Sequence, residues 1–190
     1  NWPGTPHICG DIKNVTGQQI MEMTGIKEGE LDILDGSPPC PPFSMSGTKQ
    51  KGWGKEKTAY GMKQKNIEDL TWEQIRIAGD MKPRVIVCEN VKGLTMEYAS
   101  EHLARMVNDF ESLGYTTVYK VLKGHEQGVP QKRERVFIVS VRNDVLDAYH
   151  YINLNLNKIY IWYWEYFCSR ASHVFSCNNF YAWYCLYSET

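Results

Sequence analysis

Over most of the chain, apolar residues come in short runs separated by stretches with a helical repeat. The runs at 7–9, 31–34, 84–89, 116–122 and 135–141 predict strands. Segments 66–81 and 97–114 instead carry apolar residues at three- and four-residue spacing and predict helices, the second stopped by Gly114. Strands alternating with helices over residues 6–143 predict an α/β fold with a mostly parallel sheet covered by helices.

Two segments break the pattern. Residues 46–65, "SGTKQKGWGKEKTAYGMKQK", are punctuated by glycine and rich in lysine with a single acid, which predicts a mobile basic loop. Residues 151–190 hold thirteen aromatics and three cysteines but no glycine or proline, so turn signals vanish where aromatic content peaks. This tail reads as an extension of unknown structure outside the preceding pattern, non-native rather than a buried strand pair.

Composition narrows the function classes. A chain of 190 residues can build one ordinary domain, and a net charge of −1 exerts no overall pull toward nucleic acid or membrane, so any DNA contact must come from a local patch. The six cysteines form no Cys-x-x-Cys pair and no metal-ligand cluster with the five histidines, which predicts a reduced thiol protein without a metal. No signal peptide opens the chain and no uncharged apolar run is long enough for a bilayer, so a soluble, cytoplasmic protein with no membrane partner is expected.

Candidate chemistry starts at "ILDGSPPCPPFS", residues 33–44. Pro38, Pro39 and Pro41 hold Cys40 on a stiff, extended arm just past a strand's carboxyl end, where ligands of open α/β sheets bind. From this stretch alone, an inert half-buried cysteine and a nucleophile remain equally open. "VIVCENVKGL" (85–94) brings Glu89 and Asn90 to the end of another strand, and "GVPQKRERVFIVSV" (128–141) brings Gln131, Arg133 and Arg135 to the start of one. Taken singly, an ion pair explains the glutamate and a solvated face explains the Lys-Arg-Glu-Arg run.

In series, "GSPPCPPFS", "ENV" and "QKRER" resemble the ordered motifs of the DNA cytosine-5 methyltransferases, over roughly residues 5–146. The resemblance implies an S-adenosylmethionine-dependent, Rossmann-like methyltransferase sheet with helices on both faces, acting on double-stranded DNA in a bacterial or phage modification system. It also implies site residues. Cys40 would be the thiolate that adds to carbon 6 of cytosine, making carbon 5 nucleophilic. Glu89, protonated or hydrogen-bonded at ring nitrogen 3 and the exocyclic amine, would stabilise the adduct, and Arg135 would hold the exocyclic oxygen and favour the thiolate. "HICGDI" (7–12) resembles a motif whose aspartate, here Asp11, contacts the cofactor's adenine beside Ile12. Leu70 aligns more weakly with a residue against the same adenine, and the backbone at Pro39 approaches the methyl donor. Pro38, Asn90, Gln131 and Arg133 would position the site and the DNA. The basic loop resembles the family's mobile catalytic loop, and its Lys49, Lys51, Lys55 and Lys57 would meet phosphates around a base swung out of the duplex.

The glycine-rich turn for the methionine end of the cofactor, the acid for its ribose and the target-recognition domain are not recognisable in the sequence. The expectation is therefore a partial catalytic domain over 1–150, lacking the first two strands of the sheet, followed by the tail at 151–190; an upstream segment would be its missing partner. Two alternatives stay open: a tRNA cytosine-5 methyltransferase, which shares the Pro-Pro-Cys loop, and a non-catalytic remnant that contacts nucleic acid through the basic loop.

Overall fold

A computed structural model describes residues 6–38, 57–59, 62–64, 70–128, 130–148, 175–176 and 185–187. Nine strands lie within them: β1 (His7–Ile8), β2 (Ile33–Gly36), β3 (Lys57–Ala59), β4 (Met62–Gln64), β5 (Val85–Val91), β6 (Tyr115–Lys123), β7 (Glu134–Arg142), β8 (Phe175–Ser176) and β9 (Cys185–Tyr187). The main sheet has the order β6-β7-β5-β2-β9. At its centre β5 buries Ile86, Val87 and Cys88 in succession, as a strand covered on both faces must.

Four α-helices lie among the described residues: α1 (Gly17–Thr24), α2 (Leu70–Met81), α3 (Ser100–Ser112) and α4 (Asn143–Ala148). The amphipathic spacing of α3 sets Leu103, Met106 and Phe110 on its buried side, and α2 buries Ile75, Ile77, Ala78 and Met81. With Ile20 of α1, Leu34, Ile86, Cys88, Val136 and Ile138, these make one continuous core. Val139 and Val141 belong to a second, small cluster with Val85, Val118, Val145 and Leu146, so α4 packs where the first cluster does not.

Strand direction departs from the sequence expectation. β2 and β5 are parallel, but β7 runs antiparallel to both β5 and β6. The cause is chain length: residues 124–133 connect β6 to β7, too few for the crossover of a dozen or more that parallel neighbours need. β1 is a second departure, since it pairs in parallel with β8 rather than entering the main sheet. Within the expected basic loop, β3 and β4 form an antiparallel ladder, Lys57↔Gln64 to Ala59↔Met62. The described part of the tail places β9 antiparallel on β2, Ile33 facing Tyr187.

α1 was not predicted from apolar spacing. Its start is set by a capping box: the Thr16 hydroxyl accepts from the Gln19 N–H at 3.2 Å, and the Gln19 side chain accepts from the Thr16 N–H at 2.9 Å. Gly25, at φ 75°, ends it in the left-handed region where a side chain would be strained.

Candidate active site

Because β2 and β5 run in parallel with Gly36 beside Cys88, the residues that follow them emerge at one sheet edge. There Asn90, only 2% exposed, donates from Nδ2 to the carbonyl oxygen of Pro38 at 3.3 Å, while its Oδ1 accepts from the Val91 N–H at 2.8 Å. Both Asn90 and Pro38 are buried. Their bond joins the end of β5 to the chain two residues before Cys40.

Glu89 lies on the opposite face of β5 from Asn90, by the alternation of a strand. It stands across from Phe137, and Val91 across from Arg135, so Glu89 and Arg135 are diagonal neighbours on one face. The Arg135 Nε lies 2.8 Å from Glu89 Oε1, with both side chains a quarter exposed, and Arg135 Nη1 donates to the Glu134 carbonyl at 2.8 Å. Two donors of one planar fork are thereby fixed. Alongside, Lys92 Nζ meets Glu134 Oε2 at 2.8 Å, a second tie between the ends of β5 and β7.

The same face carries a carboxyl that sequence reasoning did not single out. Asp35 pairs with Val87, which puts Glu89 at its diagonal. Burial, the largest cause, pushes the Asp35 carboxyl up to about 7; the Gly36 N–H pulls the other way, and the charge of Glu89 adds to the rise. The signal available in the sequence was an acid inside an apolar strand pattern next to glycine.

The other expected positions fall apart from this pair. Gln131 and Arg133 are exposed, and the Arg133 carbonyl accepts from the Gly124 N–H at 2.8 Å. Ile12 and Leu70 are both buried in the main core cluster. Asp11 is exposed and its Oδ1 accepts from the Lys13 N–H at 3.0 Å, capping a short turn of helix at Ile12–Asn14. Cys40, Pro39, Lys49, Lys51 and Lys55 lie outside the described residues, and of Lys57 only the backbone is described. Among the described residues there is no group of three or more His, Cys, Asp or Glu that could hold a metal ion, and no helix long and apolar enough to cross a membrane.

Comparison with known proteins adds an independent observation. The family described as C-5 cytosine-specific DNA methylase matches residues 1–162. The Type II methyltransferase M.SacI of Streptomyces achromogenes is 34% identical over 151 residues, 80% of this chain and 36% of that protein. The Type II methyltransferase M.AquIA of a Picosynechococcus strain is 35% identical over 153 residues, 75% of this chain and 56% of the relative. The chain thus spans between a third and about half of these relatives. In three dimensions it resembles the crystal structure of a DNA modification methyltransferase encoded within an E. coli prophage, with a TM-score of 0.54 and 20% identity over 72% of this chain and 33% of that one. At that identity the likeness concerns the fold.

Proposed function

The chain belongs to the C-5 cytosine-specific DNA methylase family, and from that premise we propose that it forms the part of a catalytic domain that activates cytosine in duplex DNA. The methyl donor would be S-adenosylmethionine and the setting a bacterial or phage modification system in the cytoplasm. Residues 1–150 would make up this partial catalytic domain, followed by the tail at 151–190, whose β9 adds a strand beside β2. The supporting observation is the meeting of Glu89 and Arg135 on the sheet edge that also binds Asn90 to Pro38, two residues before Cys40.

The residues present fit the adenine end of the cofactor. Asp11 is exposed and keeps a carboxylate oxygen beyond the one that caps Lys13, an acceptor suited to an exocyclic amine. Ile12 and Leu70 offer apolar surface from one cluster. Bound there, S-adenosylmethionine supplies an electrophilic methyl group.

The proposed steps use this chain's own side chains. Cys40 as thiolate forms a bond to carbon 6 of the cytosine, and electron density moves to carbon 5, which takes the methyl group. Glu89, carrying a proton when the base is bound, gives it to ring nitrogen 3 as negative charge develops there, and its other oxygen accepts from the exocyclic amine. Arg135, through Nε to Oε1, holds the Glu89 carboxyl group in one orientation, and its Nη2 is left to meet the exocyclic oxygen. Asn90 fixes the backbone leading to Cys40 and so acts on position rather than on the base. Solvent water then takes the carbon 5 proton, the double bond between carbons 5 and 6 re-forms as the bond from carbon 6 to the Cys40 sulfur breaks, and ring nitrogen 3 returns its proton to Glu89. Lys49 and Lys51 would contact phosphates, giving affinity without sequence choice, and the exposed Gln131 and Arg133 would position the DNA.

Duplex DNA carrying 5-fluorocytosine tests the reading, because fluorine at carbon 5 cannot leave as a proton and the adduct persists. A stable adduct mapped to Cys40 by mass spectrometry supports it. Transfer to tRNA but not to duplex DNA would reassign the substrate, and nucleic-acid binding without any adduct would indicate a non-catalytic role.

A further inference from the structure

We infer that Arg76 is a positioning residue for the adenine end of the cofactor, an inference that rests on the proposed function. Arg76 sits on α2, yet its bonds reach sixty residues back along the chain. Nη2 donates to the Ile12 carbonyl at 3.0 Å and to the Val15 carbonyl at 2.7 Å. Nε donates to Glu73 Oε2 at 2.7 Å, which fixes the guanidinium plane from within the same helix. Nη1 lies 3.7 Å from Asp80 Oδ2, and that oxygen accepts from the Gly17 N–H at 3.0 Å.

The consequence is geometric. Residues 12–15 form a single short turn whose own bonds are few, Asn14 N–H to Asp11 and Val15 N–H to Ile12. A one-turn element of this kind cannot hold its shape alone. Arg76 grips both of its ends, and Asp80 grips the residue where α1 begins. Asp11 projects from this turn, and Leu70 opens the helix that carries Arg76. The clamp therefore sets the separation between the carboxylate and the apolar surface that would sandwich an adenine. Lysine cannot replace the fork, because a single ammonium cannot serve two carbonyls and Glu73 in fixed directions.

Two measurements on the 190-residue chain test this. Amide hydrogen exchange without any ligand should show Lys13, Asn14 and Val15 exchanging at least about tenfold faster in Arg76→Gln, with Arg76→Lys intermediate and Ile86 and Ile138 in the core unchanged. Unchanged exchange at Lys13–Val15, or a uniform rise including the core, would overturn the clamp. Adenosine binding, read by chemical-shift titration, should weaken about tenfold in Arg76→Gln, equivalent to ~1.4 kcal/mol. Equal adenosine affinity in wild type and variant overturns the positioning role. No adenosine binding by the wild type overturns the adenine reading itself, whatever exchange shows at the turn.

Discussion

Asn90 and Pro38 are joined by a hydrogen bond of 3.3 Å between the ends of two parallel strands 52 residues apart in sequence. The Asn90 side chain also closes back on the Val91 N–H, so both of its polar ends are satisfied in a buried setting. Asn90→Ala would take from the part-buried Val91 N–H its side-chain acceptor and from the buried Pro38 carbonyl its donor. The expected loss is about 1–3 kcal/mol of stability, measurable by urea unfolding. Methyl transfer should fall while DNA affinity holds, because the loop to Cys40 loses its anchor but no phosphate contact changes. A variant with wild-type stability would show that the bond contributes nothing net.

Gly17 decides between two opposed effects. Alanine at the start of α1 would gain at most about 1 kcal/mol of helix propensity. A Cβ there would come within 2.4 Å of the Asp80 Cβ and 3.0 Å of the Met81 Cγ. The Asp80 Cβ is fixed to the backbone of α2 and cannot swing aside, so overpacking, at about 1–3 kcal/mol, wins. Gly17→Ala should lower the thermal midpoint, and a raised midpoint would mean that α1 can slide on α2 without cost.

What could be read in the sequence depended on how local its cause was. β5, β6 and β7 carry their own alternation or continuous burial, and the expected spans fall within a residue or two of Val85–Val91, Tyr115–Lys123 and Glu134–Arg142. The sense of β7 depends on the length of the connection before it, which the apolar pattern of the strand itself does not carry. β1 looked like any short strand, since pairing with β8 rather than β2 is decided by chain far away. At the site, Glu89 and Arg135 were legible as motif residues, but their mutual ion pair follows from register, which no motif states. Asp35 and Arg76 were missed for the same reason: each is ordinary in its own segment and becomes notable only through residues on other elements.

The Glu89–Arg135 pair makes a prediction about rate rather than affinity. Glu89→Gln keeps the shape and loses the proton that Glu89 gives to ring nitrogen 3, so methyl transfer should fall by about 10²–10³-fold with duplex affinity changed little. Arg135→Lys should not restore full activity, because lysine cannot hold both the Glu89 carboxylate and the Glu134 carbonyl at fixed angles. Single-turnover rates and filter binding on the same DNA separate the two effects. Parallel losses in rate and affinity would place Glu89 in DNA docking instead.

Asp35 should impose a pH dependence on stability whose sign follows from its environment. In the unfolded chain its carboxyl has the ordinary value of 3.8, whereas burial raises it to about 7 in the folded protein. Between these values the folded state holds a proton that the unfolded state has released, so this residue's contribution falls as pH rises, by up to about 1.4 kcal/mol per pH unit. Below the window the carboxyl is neutral in both states and contributes nothing. Above it the folded protein bears the full cost of an anion beside Glu89. Asp35→Asn removes the charge while keeping the shape, and should therefore raise stability above pH 7 and flatten the decline across the window, as read from urea midpoints at a series of pH values. Destabilisation by asparagine at high pH would show instead that the ionised carboxylate is held by the Gly36 N–H strongly enough to outweigh its burial and the repulsion from Glu89.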